Sequence, residues 1–188
     1  MKKVLACAEA ERLCDPGVRS LVWFNPETVI IRPPLQLPLL PHFHAAFRPV
    51  HIQNIGSHAS SPPDLFWQAI MSHSGVHEIA FTVESFLDSV RLRPYFNTHI
   101  FSIDPGQRLM AKWQAAFTSL ASDRSFLRLA CSDSLHQIFL HQAVLSTLVA
   151  RDLSPAQIQI LPRDYSFPLH LHHEVPASNR IKEIREMT

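Results

Sequence analysis

The sequence predicts an α/β fold, a single domain built on a mixed sheet with flanking helices. Three observations carry that prediction. Short apolar runs of strand length alternate with longer runs of helical period along most of the chain. The 188 residues are 46% hydrophobic and 18% charged, enough to bury a substantial core, and neither a repeat nor a linker divides them, so residues 1–188 are read as one domain. Fifteen prolines against four glycines force frequent stops, so the elements are short and the connections irregular.

The first fourteen residues, MKKVLACAEAERLC, place Val4, Cys7, Ala8 and Cys14 at helical spacing and read as a short amphipathic helix. Asp15-Pro16-Gly17 turns the chain into a buried strand, Ser20 to Phe24, and Thr28 to Ile31 reads as a second short strand closed by Pro33-Pro34. Residues 33–44 form a proline-rich stretch over the surface, and Ala45 to Ile52 is a further strand. Pro62-Pro63-Asp64 opens a helix with Leu65, Phe66, Ala69 and Ile70 on its inner face, ending near Gly75. Phe81 to Val83 is a weak strand, and Tyr95 to Ile103 a better one, with Phe96, Thr98 and Ile100 alternating against Asn97, His99 and Phe101. A helix over 107–121 spaces Leu109, Met110, Trp113, Phe117 and Leu120 along one stripe, and a second over 135–151 is apolar on nearly all sides and therefore central. A late strand over 157–161, a histidine-rich segment and a charged helix from Asn179 to Met187 complete the chain.

Composition also excludes classes of function. A formal net charge of +1 without a long basic run argues against nucleic acid as a partner. No stretch is long enough to span a bilayer, and Glu9 and Glu11 interrupt any signal-peptide core. Three cysteines without zinc-knuckle spacing read as reduced, structural thiols of a cytoplasmic protein. No P-loop, G-x-G-x-x-G or G-x-S-x-G motif is present.

The polar break in LVWFNPETVIIRPP places Asn25 and Glu27 at the mouth of a strand. They fit either a metal site or an Asn-Pro turn with a solvated glutamate. Asn97 fits either a pocket residue or a satisfied group at a sheet end, and Gln142, inside an apolar helix, requires a partner. His42 with His44, and His170 with His172, have the spacing that puts two rings on one face of a strand, with Glu174 as a third ligand for Zn²⁺ or Ni²⁺. The alternative is a set of half-buried amphipathic histidines.

Taken in order, these segments resemble the second half of a GT-A-fold glycosyltransferase, the nucleotide-diphospho-sugar transferase superfamily. LVWFNPETVIIRPP resembles the strand, Asp-x-Asp motif and following strand of that family; PYFNTHIFSID resembles the strand with an Asn facing the donor sugar. QRLMAKWQAAF resembles the following helix with its central Trp, HQIFLHQAVLSTLVA the helix with an acid-Gln pair near the reacting sugar, and LPRDYSFP the segment after it. The likeness covers about residues 21–168.

The resemblance implies Mn²⁺ or Mg²⁺ at Asn25 and Glu27, substrate contacts at Asn97, Thr98 and His99, catalytic positions at His141 and Gln142, and a nucleotide sugar as partner. The departures are as informative. The motif is degenerate, because Asn25 stands where the family has an acid and removes one charge from the site. His99 occupies a glycine position, and His141 replaces the acid of the pair. Only about twenty residues precede the motif, so the nucleotide-binding unit is shortened. Two functions are expected of such a chain, a divergent or inactive glycosyltransferase-like enzyme or a non-catalytic binding or scaffold protein. The sheet face left bare by a shortened unit leads to the expectation of a homo-oligomer.

Overall fold

The computed structural model describes residues 2–177 and 180. The helix expected over Asn179 to Met187 lies, Arg180 apart, outside the described residues.

Among the described residues, five α-helices and six strands form an α/β fold. Helix α1 spans Lys2–Leu13, α2 Leu65–His73, α3 Leu109–Ser122, α4 Arg124–Leu129 and α5 Ser134–Asp152. The strands are β1 Leu21–Phe24, β2 Ala45–Pro49, β3 Val83–Glu84, β4 Arg91–Leu92, β5 Phe96–Ile103 and β6 Ile158–Ile160. The main sheet is four-stranded and mixed, in the order β1-β5-β2-β6; β5 runs antiparallel to both neighbours and β6 parallel to β2. β3 and β4 pair as a separate two-stranded ribbon. The two segments that carry the resemblance, 21–24 and 96–103, are therefore direct neighbours, with Leu21 opposite Ile103 and Phe24 opposite Ile100.

Each main helix starts where its sequence supplies a cap. Asp64 accepts the Trp67 N–H at the start of α2, and Asp133 accepts the His136 N–H at the start of α5. Helix α3 begins two residues later than its periodicity predicts, because Asp104-Pro105-Gly106 closes a 3-10 turn and Arg108 adopts φ 54°. Helix α4, too short for its period to register, is set by Asp123, whose carboxylate accepts the Ser125 and Phe126 N–H groups.

The larger core lies between one sheet face and the helices. Phe47 stacks between Phe96 and Phe101, and Trp113, Ile70, Leu145 and Val149 pack in the same cluster. A smaller core lies on the opposite face, where the proline-rich segment lays Leu37, Leu39 and Phe43 over Val22, Phe24, Ala46 and Ile100. That packing covers part of the face from which a homo-oligomer was expected: Leu21 and Trp23 meet the helix-side core and Val22 and Phe24 the other, all four remaining half-buried.

Four expectations need correction. Thr28 to Ile31 is not a strand; it has no pairing partner, and Val29 and Ile30 are 77% and 58% exposed, because the preceding turn carries it off the sheet. Leu65 faces solvent and Trp67 fills the inner face of α2, since the helix starts at Leu65 and its stripe is set by Phe66, Trp67 and Ile70. Helix α5 is central only over Leu140 to Val149; Leu135 and Ile138 are exposed. The alternation of β5 breaks at His99–Ile100, where the register against β2 shifts, so Ile100 and Phe101 face opposite cores and Phe101 joins Phe96.

Candidate functional site

The bulge in β5 builds the site. It brings His99 and Ile100 together onto the wall of a cavity of about 300 Å³ on the sheet face opposite the helices. Phe24, Asn25, Glu27 and the chain to Pro34 form a second wall, and Asp164 to His170 a third, while His51 stands at the back. Residues 25–28 are both a turn and a lining. Pro26 occupies the second position, the Thr28 N–H returns to the Asn25 carbonyl at 2.9 Å, and the Asn25 N–H extends the ladder to the His99 carbonyl at 2.8 Å. The Asn25 side chain is locked from both sides, its Oδ1 accepting the Trp23 indole N–H at 3.0 Å and its Nδ2 donating to Glu27 Oε1 at 3.4 Å.

That geometry bears on a metal. Of the Asn25–Glu27 pair, only Glu27 brings a negative charge, and the amide oxygen of Asn25 is already engaged. Among the described residues, no group of three or more His, Cys, Asp or Glu side chains converges as a metal site. A hard divalent cation prefers several oxygen ligands with compensating charge, and these residues do not fit one. The paired histidines do not fit one either. His44 is tied to Asp104 at 2.9 Å, and His170 and His172 sit in a 3-10 stretch, Leu169–Glu174, where the two-residue spacing no longer shares a face.

The remaining sequence candidates divide between the two faces. His99 lines the cavity, whereas Asn97 is buried behind it, its Oδ1 accepting the His99 N–H at 2.7 Å and its Nδ2 facing His51 Nε2 at 3.1 Å. Thr98 points to the helix side. Its hydroxyl lies 3.2 Å from His141 Nε2 and 3.4 Å from Gln142 Oε1, and Lys3 Nζ donates to its carbonyl at 3.0 Å. His141 Nδ1–H is spent on the Ile138 carbonyl at 2.9 Å, which leaves Nε2 as the acceptor for Thr98. His141 and Gln142, expected near a reacting sugar, therefore bind α5 to β5. They are absent from the cavity wall because Thr98, before the bulge, still follows the helix-facing register.

Burial, and then the positive charge of Lys3, lower the pKa of His141 to about 4. Burial, followed by Arg48 and then His99, lowers His51 to about 3. Both imidazoles are neutral near pH 7. Sequence reading missed two participants, Arg48 and His51. Arg48 lies in an apolar strand, FRPV, where a lone buried cation was the available signal. All three cysteines are free, and burial makes two of them poor nucleophiles, pushing Cys7 up to about 12 and Cys131 to about 11.

In comparisons with known proteins, no family model, curated protein or solved structure matches this chain. No helix among the described residues is long and apolar enough to cross a membrane.

Proposed function

We propose that this chain is a glycosyltransferase-like binding domain of GT-A ancestry, non-catalytic on its own, that holds a sugar-sized polar molecule against the Asn25–Glu27 turn. One observation carries the reading: Asn25, Glu27, His51 and His99 line one cavity together with apolar side chains such as Val29, Ile31, Ile100 and Phe167. Small-molecule sites have this composition and begin at about this volume, roughly 300 Å³. The ancestry is supported by the antiparallel pairing of 21–24 with 96–103 and by α3 and α5 packing with the sheet. Absence of catalysis is supported by the partition of the candidates: Glu27 is the lone carboxylate of the turn, and His141, Gln142 and Thr98 are engaged with one another on the opposite face.

Thermal shift and calorimetry with monosaccharides and nucleotide sugars, each with Mn²⁺ and with a chelator, test this. The expected result is saturable binding of a sugar ligand that survives chelation, with a shift of several degrees at saturation. Binding of a nucleotide sugar only with Mn²⁺, accompanied by release of the nucleoside diphosphate, would establish the transferase reading instead. No binding by any member of the panel would overturn both.

A further inference from the structure

Behind the His51 wall stands an arginine with too few acceptors. Arg48 is 2% exposed and comes from β2 opposite Asn97. Its Nη1 donates to the Ser166 carbonyl at 2.8 Å and approaches His51 Nδ1 at 2.6 Å, while Nη2 meets no acceptor. Its guanidinium carbon lies 4.7 Å from the centre of the Phe86 ring, and Arg163 approaches the same ring at 5.9 Å. Asp164, on the cavity wall, favours the Arg48 charge electrostatically, yet burial still lowers the arginine to about 10. Buried guanidinium groups ordinarily have their donors satisfied, and an orphan of this kind calls for an explanation.

The neighbouring contacts share the same deficit. Arginine has donors only, so His51 Nδ1 is the acceptor in their contact and the single ring proton of the neutral imidazole sits on Nε2. That Nε2–H faces Asn97 Nδ2, also a donor, because the Asn97 oxygen is held by the His99 N–H. Two donors thus face one another across 3.1 Å, with a third, unpartnered one on Arg48 behind them. An anionic oxygen placed at this corner would accept from both His51 Nε2–H and Asn97 Nδ2–H, and the Arg48 charge would act on it through the ring it already contacts.

We infer that the His51 wall of the cavity, with Asn97 and Arg48 buried behind it, is an oxyanion subsite, so that the ligand is a small hydroxylated molecule bearing a carboxylate or a phosphate. The inference rests on the cavity reading above and adds the chemical class. The other charged or titratable groups of the walls are Glu27, Arg32, His99, Asp164, Tyr165 and His170. Glu27 lies on the Asn25 wall and suits the hydroxyl end of such a ligand.

Calorimetry on the full chain with glucose, glucuronate, glucose 6-phosphate and inorganic phosphate decides between the possibilities. The anionic sugars are expected to bind at least tenfold more tightly than glucose, and Arg48→Gln to bring their affinity down to that of glucose. Because the loss of a buried arginine can unfold the chain, nitrogen chemical shifts of the His51 imidazole in the unsubstituted protein supply a second readout, and they are expected to move on adding the tighter anion. Preference for glucuronate identifies a carboxylate, and preference for glucose 6-phosphate or phosphate a phosphoryl group; either supports the subsite. Equal affinity for glucose and its anionic relatives, or unmoved His51 signals at saturation, overturns the subsite and leaves the cavity reading standing. No binding by any of the four overturns both.

Discussion

The carboxylate of Glu11 caps a helix from ninety-nine residues away: its Oε1 accepts the Met110 N–H at 3.0 Å, and its Oε2 takes the next N–H, of Ala111, at 2.9 Å. Glu11 is buried, and α1 packs on α3 along the same contact. Arg108, the residue that precedes α3, gives no side-chain cap, so α1 supplies it from a distance. The negative charge also meets the positive end of the α3 dipole.

Replacing Glu11 with Ala is therefore expected to leave two buried N–H groups without an acceptor and to cost about 2–3 kcal/mol. Glu11→Gln, which keeps one oxygen, should cost about half as much. Urea unfolding followed by circular dichroism measures both, and a loss below about 0.5 kcal/mol in the Ala variant would show that water replaces the cap.

Acid should destabilise the fold through His51 and His141. Their folded pKa values are about 3 and about 4, against an ordinary value of 6.5, so the unfolded chain binds the extra protons. Stability is then fully present above about pH 6.5 and is lost as pH falls toward 4 and 3. Between pH 6.5 and 5 each histidine contributes a loss of roughly 1–2 kcal/mol. His141→Gln should flatten part of that slope, and an unchanged slope in unfolding free energy between pH 7 and 5 would contradict its assignment.

The proline-rich segment is expected to be structural. Leu37 is buried in the smaller core beside Ile100, so Leu37→Ala should cost about 2–4 kcal/mol, a large share of the stability of a small domain. A loss under about 1 kcal/mol in chemical denaturation would mean that the segment rests on the sheet without packing into it.

Glu27 and Trp23 give a readout of the cavity. Glu27 is exposed, and Glu27→Ala should change stability by no more than about 0.5 kcal/mol while weakening ligand binding about tenfold. Because the Trp23 indole is bonded to Asn25, ligand binding should change tryptophan fluorescence, whereas Mn²⁺ alone should not. A fluorescence change that saturates with micromolar Mn²⁺ would restore a metal to the turn.

What the sequence determined by itself was local. The period of Leu109, Met110, Trp113, Phe117 and Leu120 specifies a one-sided helix wherever it docks, and Asp64 and Asp133 mark helix starts by their own carboxylates. The apolar run Leu21–Phe24 and the β-rich 96–103 segment specify strands, and their flanking prolines and turn residues specify where these end. The tertiary structure alone decided what depends on register and on distant partners. The shift against β2 turns Ile100 to the His99 face and Phe101 to the Phe96 face, so an alternation read from sequence assigned both side chains to the wrong sides after His99. Val29 to Ile31 has every local mark of a strand, yet a strand also needs a neighbour to accept its hydrogen bonds, and the turn at Pro26 carries it to the cavity rim instead. His141 and Gln142 look like a reacting pair in one dimension, but their rotation on α5 aims them at Thr98. Arg48, inconspicuous in the chain, becomes the residue with most to explain, because burial of its Nη2 without an acceptor is a property of the assembled fold.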